Sequence, residues 1–232
     1  MSSGILTIDD IASKNTPAIV DYLVSKGIKA VMFAIGKAVE ENYDAAIYAL
    51  KKGMIVGNHS YSHPNFAELS LDEGIAEIEK CEAVLNKLYE EAKVERAYRP
   101  FRFPYGSKGG KNKDALQEYF RNNGFSKLTD TQIAFPFWKK QGLDKDIDTL
   151  WTFDFAEYNI RPNSGFFEEN VFDRMKDEDP GQGGSLFEEG SHHIMLLHAH
   201  DETEELVPDY YKHFIGFMLE KGFVFEQPQF MH

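Results

Sequence analysis

Short apolar runs alternate along the chain with longer stretches whose hydrophobic residues recur at helical spacing. Strands are predicted at 4–8 (GILTI), 30–35 (AVMFAI), 54–58 (MIVGN), 101–104 (FRFP), 125–129 (FSKLT), 150–154 (LWTFD), 194–198 (IMLLH) and 223–226 (FVFE). Their β-branched and aromatic content and their boundaries support each one. Between them, TPAIVDYLVSKG carries a Thr cap, a Pro in the first turn and a closing Gly, and YDAAIYALKKG closes the same way. The long LDEGIAEIEKCEAVLNKLYEEAKV keeps Ile75, Ile78, Cys81 or Ala83, Leu85 and Leu88 near one stripe. KDALQEYFRNNG and VPDYYKHFIGFMLEKG repeat the pattern. Such alternation predicts a mostly parallel sheet, open or closed into a barrel, with reactive groups gathered at the C-terminal strand ends. No internal repeat or linker divides residues 1–232, so a single domain is expected. The segment KDEDPGQGGSLFEEGS (176–191) reads as a solvated insertion, because its glycines lack the Lys-Ser/Thr and the leading strand of a phosphate cradle.

Composition narrows the classes. At 42% hydrophobic and 14% aromatic residues, the chain has ample material for a core. A net charge of −13 argues against a nucleic-acid or anionic-membrane partner. No apolar run approaches the roughly 18 residues needed to span a bilayer, so membrane insertion is not expected. The single cysteine, Cys81, cannot form an intramolecular disulfide and reads as a core residue. No signal peptide precedes the first strand, giving a cytoplasmic expectation for a complete chain and an extracellular or periplasmic one if a leader has been removed. Oligomeric state is not legible.

Placing polar residues on the predicted strands puts ionisable groups at five strand ends. Asp9 and Asp10 close the first, His59 and His63 follow the third, and Arg102 and Tyr105 sit at the fourth. Asp154 and Glu157 follow the sixth, and His198 ends the seventh. Two histidines and a carboxylate suit a divalent transition ion, zinc above all, and leave coordination positions open. The i, i+4 spacing of His59 and His63 aims both rings at one point if that segment turns helically. Ser60 stands where a metalloprotease helix needs Glu, which disfavours that chemistry. Taken alone, such a pair is more often a surface feature; beside an Asp-Asp strand end, whose charges need a cation or a shared proton, the ligand reading gains. On the seventh strand Leu196, His198 and His200 share one face while Met195 and Leu197 point the other way. His192, His193 and His200 read as a histidine-rich strand entrance rather than a second site. FPFWKK (135–140) reads as core or loop-anchoring aromatics before sugar-stacking ones.

Together TIDD, HSYSH, RFPY, DFAEY and IMLLH resemble, in order and spacing, the motifs of the polysaccharide deacetylases (carbohydrate esterase family 4). That family includes chitooligosaccharide, chitin, peptidoglycan N-acetylglucosamine and acetylxylan deacetylases. The resemblance runs from about residue 5 to 226 and implies a distorted (β/α) barrel of about seven parallel strands. It implies Asp9 as general base, Asp10, His59 and His63 as ligands to a divalent transition metal (zinc first, cobalt second), and His198 as general acid. Arg102 would orient Asp9, the Tyr105 N–H would help hold the oxyanion, and Leu196 would line the acetyl pocket. Asp154 or Glu157 would support His198. Three departures stand out: Ile11-Ala12 replaces the usual Gly-Pro, Glu157-Tyr158 replaces Asp-Trp, and the stretch before the last motif is long. The expected partner is an acetylated carbohydrate. Two alternatives keep open a small acylated or formylated metabolite or cyclic amide as substrate, and a non-catalytic carbohydrate-binding relative.

Overall fold

The computed structural model describes residues 1–231. The first half alternates as predicted: β1 (Ser3–Ile11), α1 (Thr16–Ser25), β2 (Val31–Ala34), α2 (Gly36–Glu41), α3 (Tyr43–Lys51), β3 (Ile55–Asn58), then α4 (Leu71–Ala92). After it come α5 (Lys113–Asn122), β4 (Lys127–Leu128), α6 (Pro136–Lys140), β5 (Phe153–Asp154) and α7 (Glu168–Lys176). The chain ends with β6 (His192–His198), α8 (Asp201–Leu206), α9 (Tyr210–Glu220), β7 (Val224–Phe225) and β8 (Phe230–Met231). Helix α4 starts sharply because Ser70 and Glu73 form a reciprocal capping box that satisfies two otherwise orphaned amides. At α1 the expected Thr cap is absent: Thr16 lies within the helix, where it exchanges hydrogen bonds with Ser13.

The fold is α/β with a parallel central sheet in the order β3-β2-β1-β6-β5, and β7 pairs with the start of β1. The predicted strand at 101–104 contributes only Phe101, bridged in parallel to Asn58. Prolines at 100 and 104 bracket that segment and remove the donors a ladder would need. Between Phe101 and the stretch leading to β5 the link is a single bond rather than a ladder. Thr149 N–H donates to Phe101 O at 2.8 Å, while on the other side Thr152 N–H donates to Ile194 O of β6 at 2.8 Å, extending the β5–β6 pairing. The segment predicted at 125–129 leaves the main sheet, since β4 pairs antiparallel with β8.

Strand alternation sorts side chains into two layers. Leu6, Ile8, Met32, Val56, Met195 and Leu197 face the helices in the larger core. Ile5, Val31, Phe33, Ile55 and Ile194 face the interior with Trp138 and Leu128. Continuing up the interior faces, apolar residues give way to Thr7, Asp9 and His198. The interior is therefore dry at the floor and polar at the C-terminal strand ends. Cys81 lies in the larger core, as expected. Gly57 lies just under the polar layer, where a Cβ would sit 2.8 Å from Pro100 and 3.1 Å from Phe33. Gly57→Ala is expected to cost about 1–3 kcal/mol by overpacking, read as a lower urea midpoint.

Candidate active site

The loop after β3 brings two imidazoles to one point, but not by a helical turn. Ser60 and His63 both take the left-handed region, at φ 67° and 60°. Asn58 Oδ1 accepts from Ser60 N–H at 2.8 Å, Ser60 Oγ accepts from His63 N–H at 3.1 Å, and Glu77 of α4 accepts from the amides of Tyr61 and Ser62. Asp10, Tyr105 and Ala156 share that backbone region, so among the described residues five of the eight non-glycine residues with positive φ lie in or beside one cleft. Each such residue costs about 1–3 kcal/mol and persists only where its surroundings over-determine it.

His59 is buried, and its Nδ1 lies 2.8 Å from the carbonyl of Arg102. A carbonyl only accepts, so Nδ1 carries a proton and Nε2 is the nitrogen turned to the cleft. That nitrogen faces Asp9 Oδ2 and Asp10 Oδ1, each at 3.5 Å. His63 Nε2 lies 3.4 Å from the same Asp10 oxygen. Burial and the neighbouring His59 lower the His63 pKa to about 4, which keeps that imidazole neutral. Asp10 Oδ1 is buried with no hydrogen-bond partner. An orphaned carboxylate oxygen faced by two imidazole nitrogens is a donor set that a cation would satisfy. The donor spacing also suits a small ion, because two ligands about 2.0–2.1 Å from a tetrahedral centre lie roughly 3.3 Å apart. Asp10, His59 and His63 thus fit a divalent metal.

Asp9 stands beside this cluster, held from below. Arg102, fully buried, donates from Nη1 to Asp9 Oδ1 and Thr7 Oγ1, each at 2.7 Å, and from Nε to Thr149 O at 3.0 Å. Its guanidinium carbon lies 4.5 Å from the Phe33 ring centre and 5.5 Å from that of Trp151. Asp9 Oδ1 is therefore engaged, and Oδ2 is the oxygen turned toward the cluster.

Across the cleft, His198 donates from Nδ1 to Glu157 Oε1 at 3.0 Å, and the same oxygen takes the His198 N–H at 2.6 Å. Glu157, not Asp154, is thus the carboxylate bonded to His198. Burial by itself would lower the His198 pKa, but the charge and hydrogen bond of Glu157, with Asp10 and Asp9, push it up to about 9. Asp154 instead accepts from Ala156 N–H at 2.8 Å and from the Tyr158 hydroxyl at 3.4 Å. Burial and the Glu157 charge raise its pKa to about 6.

The family model described as polysaccharide deacetylase matches residues 2–125, more than half of the chain. The chain belongs to that family. The chain is 36% identical over 104 residues to the peptidoglycan-N-acetylglucosamine deacetylase of Bacillus cereus, an alignment covering 44% of this chain and 35% of the relative. The matched region thus spans about a third of that relative's length. Among solved structures, the Bc1960 peptidoglycan N-acetylglucosamine deacetylase superposes with a TM-score of 0.66 at 21% identity, over 97% of this chain and 85% of the other. The chitin deacetylase of Colletotrichum lindemuthianum superposes with a TM-score of 0.62 at 21% identity, over 96% and 84%. At those identities the likeness establishes the shared fold.

In this family member, all ten residues singled out from the sequence gather around one cleft of about 290 Å³, whose walls include Asp9, Asp10, His59, His63, Leu196 and His198. Arg102 and Glu157 lie just behind the wall, buried and bonded to Asp9 and His198. Tyr105 forms the lip, 69% exposed, with its ring edge-on to His63. His192 and His193 do not join His200, because they open β6 while His200 lies beyond its other end. FPFWKK divides: Trp138 is core, its indole N–H on Asp130, whereas Phe137 lines the cavity next to the cleft. Trp151, Arg161 and His200 also line the cleft and were not assigned to it from the sequence. Only His200 had a signal, the two-residue repeat that gives it the face of His198.

Proposed function

We propose that the chain is a metal-dependent hydrolase that removes acetyl groups from an N-acetylated or O-acetylated carbohydrate, with zinc the first candidate ion and cobalt the second. The observation that carries this reading is the meeting in one cleft of an acceptor cluster (Asp10, His59, His63), an Arg-held carboxylate (Asp9) and a carboxylate-held imidazole (His198). A bound divalent ion supplies Lewis acidity toward the acyl oxygen and the attacking water.

The protein's own groups do the rest. Asp9 Oδ2 takes the proton of the attacking water, while Arg102 keeps Oδ1 from turning toward it. The Tyr105 N–H donates to the developing oxyanion, and losing such a donor typically costs about 3–4 kcal/mol in the barrier. Leu196 forms an apolar wall for the acetyl methyl. His198, oriented by Glu157 through Nδ1, delivers a proton from Nε2 to the departing nitrogen or oxygen, leaving acetate and a free amine or hydroxyl.

The cleft adjoins a second cavity of about 570 Å³, which shares Tyr105, Trp151, Asp154 and Tyr158 as lining residues and adds Phe137. Adjoining cavities with shared aromatic walls favour an extended glycan over a small enclosed metabolite, in keeping with the peptidoglycan and chitin named for its relatives. The test is acetate release, with zinc or cobalt supplied, from chitin oligomers, peptidoglycan, acetylxylan and small acylated metabolites. Release from a glycan, together with loss of bound metal in His59→Ala by elemental analysis, is expected. Acetate from none of the panel, or undiminished metal in His59→Ala, would sink the reading.

A further inference from the structure

We propose that His200, steadied by Arg161, is a positioning residue that fixes the Asp10 carboxylate for cation binding. This rests on the reading of Asp10 as a metal ligand. Asp10 lies in β1 at the register break between Ile8 and Ile11, with φ 63°, a left-handed conformation that persists only where its surroundings hold it. His200 Nε2 lies 2.6 Å from Asp10 Oδ2, while Oδ1, the oxygen that faces His59 and His63, has no hydrogen-bond partner. The two oxygens of one carboxylate therefore have separate partners.

The direction of that hydrogen bond follows from its neighbour. Arg161 Nη2 lies 3.3 Å from His200 Nδ1, and a guanidinium only donates. Nδ1 accepts, so Nε2 carries the proton and donates it to Oδ2. Arg161 is tied in turn to Ile160 O at 2.9 Å, Thr203 Oγ1 at 3.2 Å and Glu202 at 3.1 Å. The next residue anchors the same segment to the loop after β1, since Asp201 accepts from the amides of Lys14 at 3.2 Å and Asn15 at 2.9 Å. His200 is thus held from both sides. With its N–H spent on Oδ2, it leaves Oδ1 as the single Asp10 oxygen aimed at the cluster. Partners of this kind orient a ligand, and their loss typically weakens metal affinity about 10–100-fold.

The experiment titrates zinc and cobalt into the metal-free full chain against a chelating dye. His200→Ala is expected to bind about 10–100-fold more weakly with unchanged 1:1 stoichiometry. His200→Gln, whose amide N–H can reach the place of Nε2, is expected to recover most of that loss. Wild-type affinity in His200→Ala overturns the inference. So does a changed visible spectrum of the bound cobalt with no rescue by Gln, which would make His200 itself a ligand. His59→Ala serves as the control: binding unchanged there defeats the metal reading itself, not only the role of His200. Far-UV circular dichroism in chelator reports folding. If His200→Ala does not fold, Arg161→Met replaces it, with a smaller weakening expected and undiminished affinity overturning the inference.

Discussion

Asp9→Asn is expected to lower kcat roughly 10²–10⁴-fold while the chain still binds one equivalent of zinc. The amide nearly matches the carboxylate in shape and offers an oxygen to Arg102 Nη1, which now holds Asp9 Oδ1 at 2.7 Å. It cannot accept a proton, and Oδ2, the oxygen facing the cluster, becomes an NH2. The three acceptors that fit the ion, on Asp10, His59 and His63, are untouched. The buried Arg102 loses its counter-charge, so stability should fall too, toward the lower end of the roughly 3–5 kcal/mol seen when a buried pair is broken. Circular dichroism and metal analysis on the same sample separate the two effects. Near wild-type turnover in a folded, zinc-loaded variant would remove Asp9 from the role of base.

Much of this site was legible because parallel α/β folds place chemistry at strand ends, and β1, β3 and β6 are strongly patterned. Asp9, His59 and His198 lie at the ends of strands buried on both faces, and the two-residue period gives them their common face. The 101–104 segment was read as a strand on composition, yet its flanking prolines allow only Phe101 to pair. The choice between Asp154 and Glu157 lay beyond any periodicity. Asp154 Oδ1 is drawn onto the amide of Ala156, and Ala156, at φ 59°, turns the chain so that Glu157 points inward under His198. Neither that turn nor the tie from Arg161 through His200 to Asp10 has a local sequence signal, since each joins residues some forty or more apart or depends on one dihedral. The bonding of His59 Nδ1 to a backbone carbonyl, which sets its tautomer, is likewise a product of packing.

The Glu157–His198 pair yields the second large effect, in pH dependence. In the metal-free chain His198 titrates at about 9, against about 6.5 for an ordinary histidine. Its folded pKa is the higher, so the stabilisation is fully present below about pH 6.5 and is lost as pH rises through about 9. A shift of that size corresponds to about 3 kcal/mol. His63, lowered to about 4, makes its contribution on the acid side and leaves this window clear. Urea midpoints of the metal-free chain should therefore fall between pH 6.5 and 9, and Glu157→Gln should flatten that slope. Gln keeps an oxygen for the His198 N–H and Nδ1–H but supplies no charge, and Glu157, fully buried, has no solvent to replace it. In the loaded enzyme the ion offsets the charge of Asp10, which leaves Glu157 as the main group holding His198 protonated. The basic limb of kcat/KM should then move to lower pH by a unit or more in Glu157→Gln, an order-of-magnitude expectation for loss of a buried charge partner. A basic limb that stays in place in Glu157→Gln and moves in Asp154→Asn would transfer the supporting role to Asp154, against the hydrogen bonds seen here.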